Sequence, residues 1–323
     1  MREITQEEGL KLIKDLKNST ATGVDFIDNS TIKIIAEEIA PAVTKIINLS
    51  IRTSRFPKSY KYSKIIPLLK PNKPAMECQS YRPVNQLVSF SKIVERAAIS
   101  QLVEYLETNK LFHPNQHGGR KGHSTATAMI QMHDQWMEDL EAGKIVAISM
   151  YDQSAAYDVC SHRILIEKLK LLGLENGAIE WMQSYLSDRT QNVMVDGHLS
   201  SPRDLPPYSV VQGGVGSGIL YLCFTVDLPD VTHSHSVDYK DPDVHCSEDG
   251  DMVTFVDDAT HYFADKDAEK VTEKIAQKFE VIEKYMNENQ LVINGDKSHL
   301  VVLRKRAKKG RHPRWFYEQE LMS

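Results

Sequence analysis

Three aspartates stand at the ends of two short apolar segments. Asp152 follows Ile145–Tyr151, and the doublet Asp257-Asp258 follows Met252–Val256. A buried strand that ends in a carboxylate holds that charge at the rim of a sheet, and two such carboxylates repel each other unless a cation lies between them. If the two strands are neighbours, the pattern therefore predicts a metal site. The alternative is that these aspartates serve ordinary turns, where this residue type is common.

Mg²⁺ is the cation that this donor set indicates, because it prefers hard oxygen ligands and leaves coordination positions open for phosphates. Two such ions about 3.5–4 Å apart stabilise the attacking and leaving oxygens of an in-line phosphoryl displacement. Successive residues of a strand face opposite ways, so Asp257 and Asp258 are not expected to do the same work. The chemistry predicted from these residues is metal-assisted phosphoryl transfer.

Charge is distributed unevenly, although the formal net charge is only −5. Between Arg52 and Met76 there are seven basic residues and no acidic one, and three rings are interleaved among them: Phe56, Tyr60 and Tyr62. Cations beside rings suit a nucleic-acid strand or a nucleotide, because the cations pair with phosphates and the bases stack on the rings. The alternative is a solvated basic face.

Hydrophobic periodicity predicts the elements that position these residues. A helical pattern over residues 30–53 contains Pro41, so it predicts either two helices or one kinked helix. Further helices are predicted over residues 91–109, 124–141, 161–172 and 267–289, and strands over 65–69 and 145–151. Hairpins are predicted around Asp196-Gly197, Asp257-Asp258 and Asn294-Gly295, and an exposed loop over residues 234–250. This order indicates an α+β fold, with an antiparallel sheet covered by helices on one side.

The composition bounds the class of protein. The chain has 323 residues, of which 41% are hydrophobic and 26% charged, so a globular protein of two or three domains is expected. The longest apolar run is far shorter than the about 20 residues of a membrane-spanning helix, and there is no apolar signal segment. We therefore expect an intracellular protein, in the cytoplasm, the nucleus or both, with no membrane partner. Four cysteines lack zinc-ligand spacing and are expected to be free thiols: Cys78, Cys160, Cys223 and Cys246.

Several blocks of the sequence resemble one enzyme family. Phe255-Val256-Asp257-Asp258 resembles the aromatic-x-Asp-Asp hairpin of reverse transcriptases. Residues 152–158, Asp-Gln-Ser-Ala-Ala-Tyr-Asp, are similar to the first catalytic motif of non-LTR (LINE-type, jockey-like) retrotransposons. Other blocks follow in the family's order: Thr22–Asp25, Phe56-Pro57, Ser80–Val84, Lys92–Glu95, Gln116–Thr125, Val211–Gly213, Asp227–Pro229, Leu291–Asn294 and Asp296-Lys297. From about residue 20 to residue 305, the chain is identified by this order as a member of the family.

The resemblance implies a right-hand polymerase with fingers and palm, and an RNA-directed DNA polymerase activity. Such an enzyme transfers nucleotides from dNTPs onto a primer 3′-hydroxyl. Its partners are an RNA template and a DNA primer, and the resemblance does not identify protein partners. The resemblance also implies that Asp152, Asp257 and Asp258 hold two Mg²⁺ ions, with Mn²⁺ as an alternative ion. An RNA replicase is disfavoured by Tyr157, because a replicase must admit the ribose 2′-hydroxyl.

Five further residues match nucleotide-binding positions of the family. Tyr157 matches the aromatic ring that excludes the 2′-hydroxyl, and Gln212 matches the residue beside the templating pair. Lys70 and Arg82 match cations that clamp the incoming triphosphate, and Lys297 matches a lysine near the leaving pyrophosphate. The ordinary alternatives are a core ring for Tyr157, a surface pair for Arg82 and a turn residue for Lys297.

Departures from the family pattern keep a second function open. Residues 213–218 read Gly-Gly-Val-Gly-Ser-Gly where the family has Gly-Ser-x-x-Gly-Pro, and four glycines are expected to make that segment loose. The resemblance divides the chain into a lead-in (1–20), fingers with part of the palm (21–143), palm (144–305) and a basic tail (306–323) that begins a largely absent thumb. The alternative function is a truncated, catalytically inactive retroelement remnant that only binds RNA or has no activity.

Overall fold

A computed structural model describes residues 1–232, 250–306 and 314–321 of the chain, with side chains as far as residue 305. Residues 234–249 of the loop predicted over 234–250, which include Cys246, and much of the basic tail lie outside the described residues. Cys78, Cys160 and Cys223 are thiols rather than disulfides. Within the described ranges, the longest and most apolar helices still fall short of what a membrane-spanning helix requires.

The described elements form a mixed α+β fold, as the sequence predicts. The helices are α1 (Gln6–Lys14), α2 (Asn29–Ile34), α3 (Ala36–Arg52), α4 (Ser89–Thr108), α5 (Thr125–Glu141), α6 (His162–Leu171), α7 (Asn176–Leu186), α8 (Ser217–Phe224) and α9 (Ala268–Glu288). The strands are β1 (Tyr62–Leu69), β2 (Tyr81–Leu87), β3 (Ile145–Tyr151), β4 (Thr190–Val195), β5 (His198–Leu199), β6 (Arg203–Asp204), β7 (Asp251–Phe255), β8 (Asp258–Asp265), β9 (His299–Arg306) and β10 (Arg314–Leu321).

The chain divides into two compact units that alternate along the sequence. The first unit comprises Met1–Asn109 and Cys160–Leu220, and the second comprises Lys110–Val159 and Tyr221–Ser323. The predicted boundaries at residues 20, 143 and 305 separate functional subdomains, which a division by compactness does not test. Each unit contains its own sheet.

The second unit is built on a five-stranded sheet in the order β10-β9-β3-β8-β7, with antiparallel neighbours throughout. Its central strand β3 is apolar on both faces. Val146 and Ile148 pack with Leu140 of α5, and Ala147 packs with Val271 of α9. Helices therefore cover both faces of this sheet, and the prediction that helices cover only one side of it is wrong. Because successive residues of β3 are apolar and face opposite ways, each face has to be buried.

Turn signals predict two of the three hairpins correctly. β4 and β5 pair around Asp196-Gly197, and β7 and β8 pair through a turn at Val256-Asp257, one residue earlier than the predicted turn at Asp257-Asp258. The third hairpin is wrong, because residues 291–293 form no strand and only Ile293 makes a bridge, to Gln153. β9 pairs instead with β3 and β10, and this pairing places Val301 opposite the apolar Ile148 of β3.

The first unit contains a mixed sheet in the order β2-β1-β4-β5, with β6 also paired to β4. β1 runs antiparallel to β2 and parallel to β4. The helix predicted over residues 30–53 is two helices that separate at Ile35, whose φ of −100° and ψ of 22° are not helical. Pro41 lies inside α3, so the break precedes the proline rather than coinciding with it.

Candidate active site

The hairpin of β7 and β8 carries two of the three aspartates at a two-residue turn. Phe255 pairs with Asp258, which leaves Val256 and Asp257 as the central turn residues. Val256 has a φ of 61°, a left-handed value that is rare for a β-branched residue. A positive φ at the first central position is the geometry of a type II′ turn. The turn is therefore strained, and Asp257 lies at the tip of the hairpin.

Asp152 approaches this turn from the neighbouring strand. Tyr151, the last residue of β3, pairs with Ala259 of β8, so the antiparallel register continues from Asp152 toward Asp258. Adjacent strands lie about 4.8 Å apart, which brings the aspartates to one rim of the sheet. The expectation that the strand before Asp257 neighbours β3 is wrong, because β8 lies between β3 and β7. The strand that leaves the turn, rather than the one that enters it, pairs with β3.

The aspartates influence one another electrostatically. Partial burial raises the pKa of Asp258, and the carboxylates of Asp257 and Asp152 raise it further. Lys297 acts in the opposite direction on the Asp258 pKa, and its Nζ lies 3.2 Å from Oδ2 of Asp152. Of the residues matched to the family, the structure therefore brings the three aspartates and Lys297 together.

The chemistry of these donors suits a hard divalent cation. Three carboxylates offer only oxygen ligands, and a cation between them would remove the repulsion that raises the pKa of Asp258. Within the described parts of the chain, no three Asp, Glu, His or Cys side chains are gathered closely enough to hold a metal ion. Lys297 forms an ion pair with Asp152. The residues fit such an ion in type, and side-chain movement is needed to gather them around it.

Contacts along the main chain hold Asp152 in place. Its N–H donates to Oγ of Ser298 (3.2 Å), and its carbonyl accepts a hydrogen bond from the N–H of Asn294 (2.8 Å). Ser298 is fully buried, and its hydroxyl donates to the carbonyl of Asn294 (2.9 Å). The segment before β9 therefore supports the first aspartate through its backbone. Periodicity gives no signal for such a contact between residues almost 150 positions apart.

Gln153 and Tyr157 lie close to Asp257. Gln153 donates through Nε2 to the carbonyl of Asp257 (3.0 Å) and accepts a hydrogen bond from the hydroxyl of Tyr221. The ring of Tyr157 packs against that of Tyr221, with centroids 5.2 Å apart. Burial raises the pKa of Tyr157, and the charge of Asp257 raises it further. Sequence reasoning missed Gln153 and Tyr221, and the only signal for Gln153 was its place inside the first motif.

The other three matched residues belong to the first unit. Nζ of Lys70 donates to the carbonyl of Gln79 (2.8 Å), which ties this lysine to the chain between β1 and β2. Arg82 is exposed on β2, opposite Leu68 of β1. Gln212 is half-buried and precedes the glycine-rich segment. The roles of Lys70, Arg82 and Gln212 toward a nucleotide stay predictions.

The basic segment between residues 52 and 76 is not one continuous face. Lys61 and Lys64 are buried, and Nζ of Lys64 lies 3.4 Å from the carbonyl of Gly23. Phe56 is also buried, and its ring meets those of Trp181 and Tyr185 edge to face, at centroid distances of 5.6 and 5.2 Å. Phe56 is therefore a core ring, and it offers no surface on which a base could stack.

The glycine-rich segment is closely packed. An added Cβ on Gly213 would lie 2.9 Å from the carbonyl oxygen of Asn85, and one on Gly216 would lie 2.7 Å from Cδ1 of Ile99. The N–H of Val215 donates to a carboxylate oxygen of the buried Glu95 (2.8 Å). Neighbouring atoms fill the space that side chains would need at Gly213 and Gly216, which weighs against the predicted looseness of this segment.

Comparisons with known proteins agree with this geometry. Residues 68–316 match the family model described as reverse transcriptase (RNA-dependent DNA polymerase). The chain is 31% identical over 238 residues, 74% of its length, to a probable RNA-directed DNA polymerase from transposon BS of Drosophila melanogaster. It is 30% identical over 70% of its length to the RNA-directed DNA polymerase from mobile element jockey of Drosophila funebris, and 28% identical over 91% of its length to that of Drosophila melanogaster.

The matches cover only part of each relative. The chain spans 26% of the transposon BS protein and 25% and 31% of the two jockey proteins. The similarity therefore concerns one region of longer proteins. Within that region, the resemblance to reverse transcriptases of non-LTR retrotransposons is confirmed.

Proposed function

The chain belongs to the reverse transcriptase (RNA-dependent DNA polymerase) family, and from this premise we propose that it is an RNA-directed DNA polymerase. In the proposed reaction, the primer 3′-oxygen forms a bond to the α-phosphorus of a dNTP, the bond to the bridging oxygen breaks, and pyrophosphate leaves. The main support for the proposal is that Asp152, Asp257 and Asp258 lie at one rim of an antiparallel sheet. In this scheme residues 21–143 form the fingers with part of the palm, and residues 144–305 form the palm.

The aspartates are proposed to act as metal ligands. When bound there, Mg²⁺ or Mn²⁺ ions would neutralise charge on the phosphates and on the attacking and leaving oxygens. Burial is the main cause of the raised pKa of Asp258, and repulsion by Asp257 and Asp152 adds to it. That repulsion supports the proposed role, because it provides a driving force for a cation to enter. Lys297 now pairs with Asp152, and we propose that it turns to the pyrophosphate when the carboxylates take up metal.

Other residues are proposed to select and orient the nucleotide. The ring of Tyr157, held against Tyr221, would occupy the space that a ribose 2′-hydroxyl needs. Arg82 and Lys70 are proposed to clamp the triphosphate, because a guanidinium fork and an ammonium both suit phosphate oxygens. Gln212 is proposed to lie beside the templating pair. An RNA template, a DNA primer and dNTPs are the proposed partners.

Primer extension on an RNA template, with dNTPs and Mg²⁺, tests the proposal. Asp257→Asn removes a metal-binding charge while it keeps the size of the side chain, and it should abolish extension. Asp196→Asn is the matched control, because Asp196 is exposed in the turn of the β4–β5 hairpin and should tolerate the change. Extension by the wild type and Asp196→Asn, but not by Asp257→Asn, is the expected result.

The same assay distinguishes the proposed polymerase from the alternative, an inactive retroelement remnant. A folded protein that binds a primer–template and never extends it would be a remnant without catalytic activity, and the polymerase proposal would be rejected. The close packing of residues 213–218 weighs against that alternative, since the looseness expected of this segment was one of its supports.

A further inference from the structure

The segment Asn115–Gly118 runs beside the end of β7 and contacts the strained turn. The N–H of Thr254 donates to the carbonyl of Asn115 (2.9 Å), and the carbonyl of Thr254 accepts from the N–H of His117 (2.9 Å). These bonds form a parallel bridge between Gln116 and Thr254. The sequence places this segment in a block of the reverse transcriptase pattern, and the proposed reaction gives it no role.

The side chain of Gln116 extends the contact to the turn itself. Its Oε1 accepts hydrogen bonds from the N–H of Gly118 (2.8 Å) and from the N–H of Val256 (3.3 Å). Gln116 is only 5% exposed, so water does not readily replace this acceptor. One carboxamide oxygen therefore joins the segment to the residue that precedes Asp257.

Gly118 allows the segment to approach the turn closely. A Cβ at this position would lie 2.5 Å from both the backbone nitrogen and Cγ2 of Val256, and 2.9 Å from the carbonyl carbon of Phe255. No real side chain fits at such distances. Any residue larger than glycine would push the turn away, and Asp257 would move with it.

Side chains of α5 anchor the segment from the other side. Gln131 donates through Nε2 to Oδ1 of Asn115 (2.9 Å), and its Oε1 lies 2.9 Å from Nε2 of His117. Nδ1 of His117 lies 2.9 Å from Oγ1 of Thr127. Asn115 in turn donates to Oδ1 of Asp251, the first residue of β7. The segment is therefore fixed to α5 and to both ends of β7.

We propose that Asn115–Gly118 is a clamp that holds Val256 in its left-handed conformation and thereby positions the Asp257 carboxylate, with Gln116 and Gly118 as the positioning residues. This inference rests on the proposed polymerase function. The strained φ of Val256 persists only if surrounding contacts enforce it, and the clamp supplies those contacts. Loss of the clamp should leave the sheet folded and let the turn relax, so that Asp257 no longer lies where the reaction needs it.

Two substitutions test the clamp by different routes. Gln116→Met keeps the volume of the side chain and removes its acceptor, and Gly118→Ala introduces the Cβ that the structure excludes. Gln277→Met on the exposed face of α9 is the control for the first, and Gly218→Ala, with nothing within 4 Å of its Cβ, is the control for the second. Thermal melting of each variant shows whether the fold is intact.

The kinetic readout is single-nucleotide incorporation. A misplaced reacting group slows chemistry by about 100-fold for a shift near 1 Å, so Gly118→Ala should lower the maximal rate by about that factor. Gln116→Met should lower it by about tenfold, because the turn can shift less when no atom is added. The dNTP concentration that gives half-maximal rate should change little for either variant. A lowered nucleotide affinity with an unchanged maximal rate would overturn the proposal.

Rescue by Val256→Gly distinguishes positioning from general damage. Glycine adopts a positive φ without steric cost, so it does not need the acceptor of Gln116 to keep the turn in place. The double variant Gln116→Met/Val256→Gly should therefore recover most of the roughly tenfold loss of rate. A double variant no faster than Gln116→Met alone would contradict the clamp.

Amide hydrogen exchange tests the clamp without any catalysis. In Gln116→Met, the N–H groups of Val256 and Gly118 should exchange faster than in the wild type, and those of β8 should keep their protection. Unchanged exchange at Val256 would reject the clamp. A wild type that extends no primer would reject the polymerase function, while the exchange result still decides whether the clamp exists. If Gly118→Ala fails to fold, Gln116→Met and its exchange pattern carry the test.

Discussion

Gly213 and Gly218 stand in the same glycine-rich segment, and the structure predicts opposite effects for alanine at the two positions. Gly213 has a φ of 102°, and its added Cβ would lie 2.9 Å from a backbone oxygen of Asn85. Gly218 lies in α8, and nothing is found within 4 Å of its added Cβ. The two positions do not differ in residue type, so comparing the two alanine variants measures the effect of local packing on stability.

The expected magnitudes follow from these contacts. A left-handed backbone costs about 1–2 kcal/mol for a residue with a Cβ, and forcing atoms into filled space costs about 1–3 kcal/mol. Gly213→Ala should therefore lower the free energy of unfolding of the first unit by about 2–5 kcal/mol. Gly218→Ala should raise it by up to about 1 kcal/mol, because alanine loses less backbone entropy in a helix.

Thermal denaturation followed by circular dichroism measures both variants against the wild type. Each kcal/mol corresponds to about 2–4 °C in a unit of this size, so Gly213→Ala should melt about 4–20 °C lower. Gly218→Ala should melt at the wild-type temperature or about 1–4 °C above it. A Gly213→Ala variant that melts within about 1 °C of the wild type would refute the reasoning, and the segment would then be loose.

Three further predictions concern single side chains. Asp258→Asn should raise the melting temperature at pH 7, because the raised pKa of Asp258 means that the folded state binds its proton more tightly than the unfolded state. The wild type therefore loses stability as the pH rises from the ordinary carboxyl pKa of 3.8 to the raised pKa. In thermal melts, Asp258→Asn should have a higher melting temperature than the wild type at pH 7 but not at pH 3. Tyr157→Val should increase ribonucleotide incorporation relative to dNTP by about tenfold or more in a competition assay, whereas Tyr208→Val at an exposed ring should not. Glu95→Ala should lower the free energy of unfolding in urea by about 1–3 kcal/mol, since it removes the buried acceptor of a backbone N–H, and Glu95→Gln, which keeps an acceptor, should cost less.

The ion pair between Lys297 and Asp152 bears on how the site responds to metal. Nζ of Lys297 is largely exposed, so the pair is weakly held and can exchange for a stronger partner. The carboxylates repel one another, and a divalent cation satisfies them better than one ammonium group does. Under the proposed function, Lys297 therefore neutralises part of the charge of the acidic rim until a metal ion enters.

Much of the fold could be predicted because its signals are local. The run Ile145–Tyr151 predicts β3 with its observed bounds, and the turn residues predict the hairpin that carries Asp257. The helix predicted over residues 124–141 is α5, which begins one residue later, and the side chain of Ser124 caps it by accepting a hydrogen bond from the N–H of Thr127. Periodicity and turn chemistry act over a few residues, so they can be interpreted without the rest of the chain.

The errors arose where distant segments compete. Apolar strands can pair with several partners, and periodicity does not reveal that β8 lies between β3 and β7 or that β9 joins β3. A ring in a basic segment suits stacking on bases as well as burial, and only the contacts of Phe56 with Trp181 and Tyr185 decide for the core. Strand order and burial depend on which arrangement removes the most apolar surface from water, which is a property of the whole chain.

Residue types and their order are enough to identify the reverse transcriptase family and to propose its chemistry, because carboxylates follow apolar strands within the family's order of blocks. Tertiary structure alone decided how those groups are held. Gln116, Gly118 and Gln153 contact the turn of Asp257 from positions more than 100 residues away, and Gly213 is required by one oxygen of Asn85. Residue types and local spacing specify which groups are available, whereas clearances of a few tenths of an ångström between distant atoms exist only once the chain is packed.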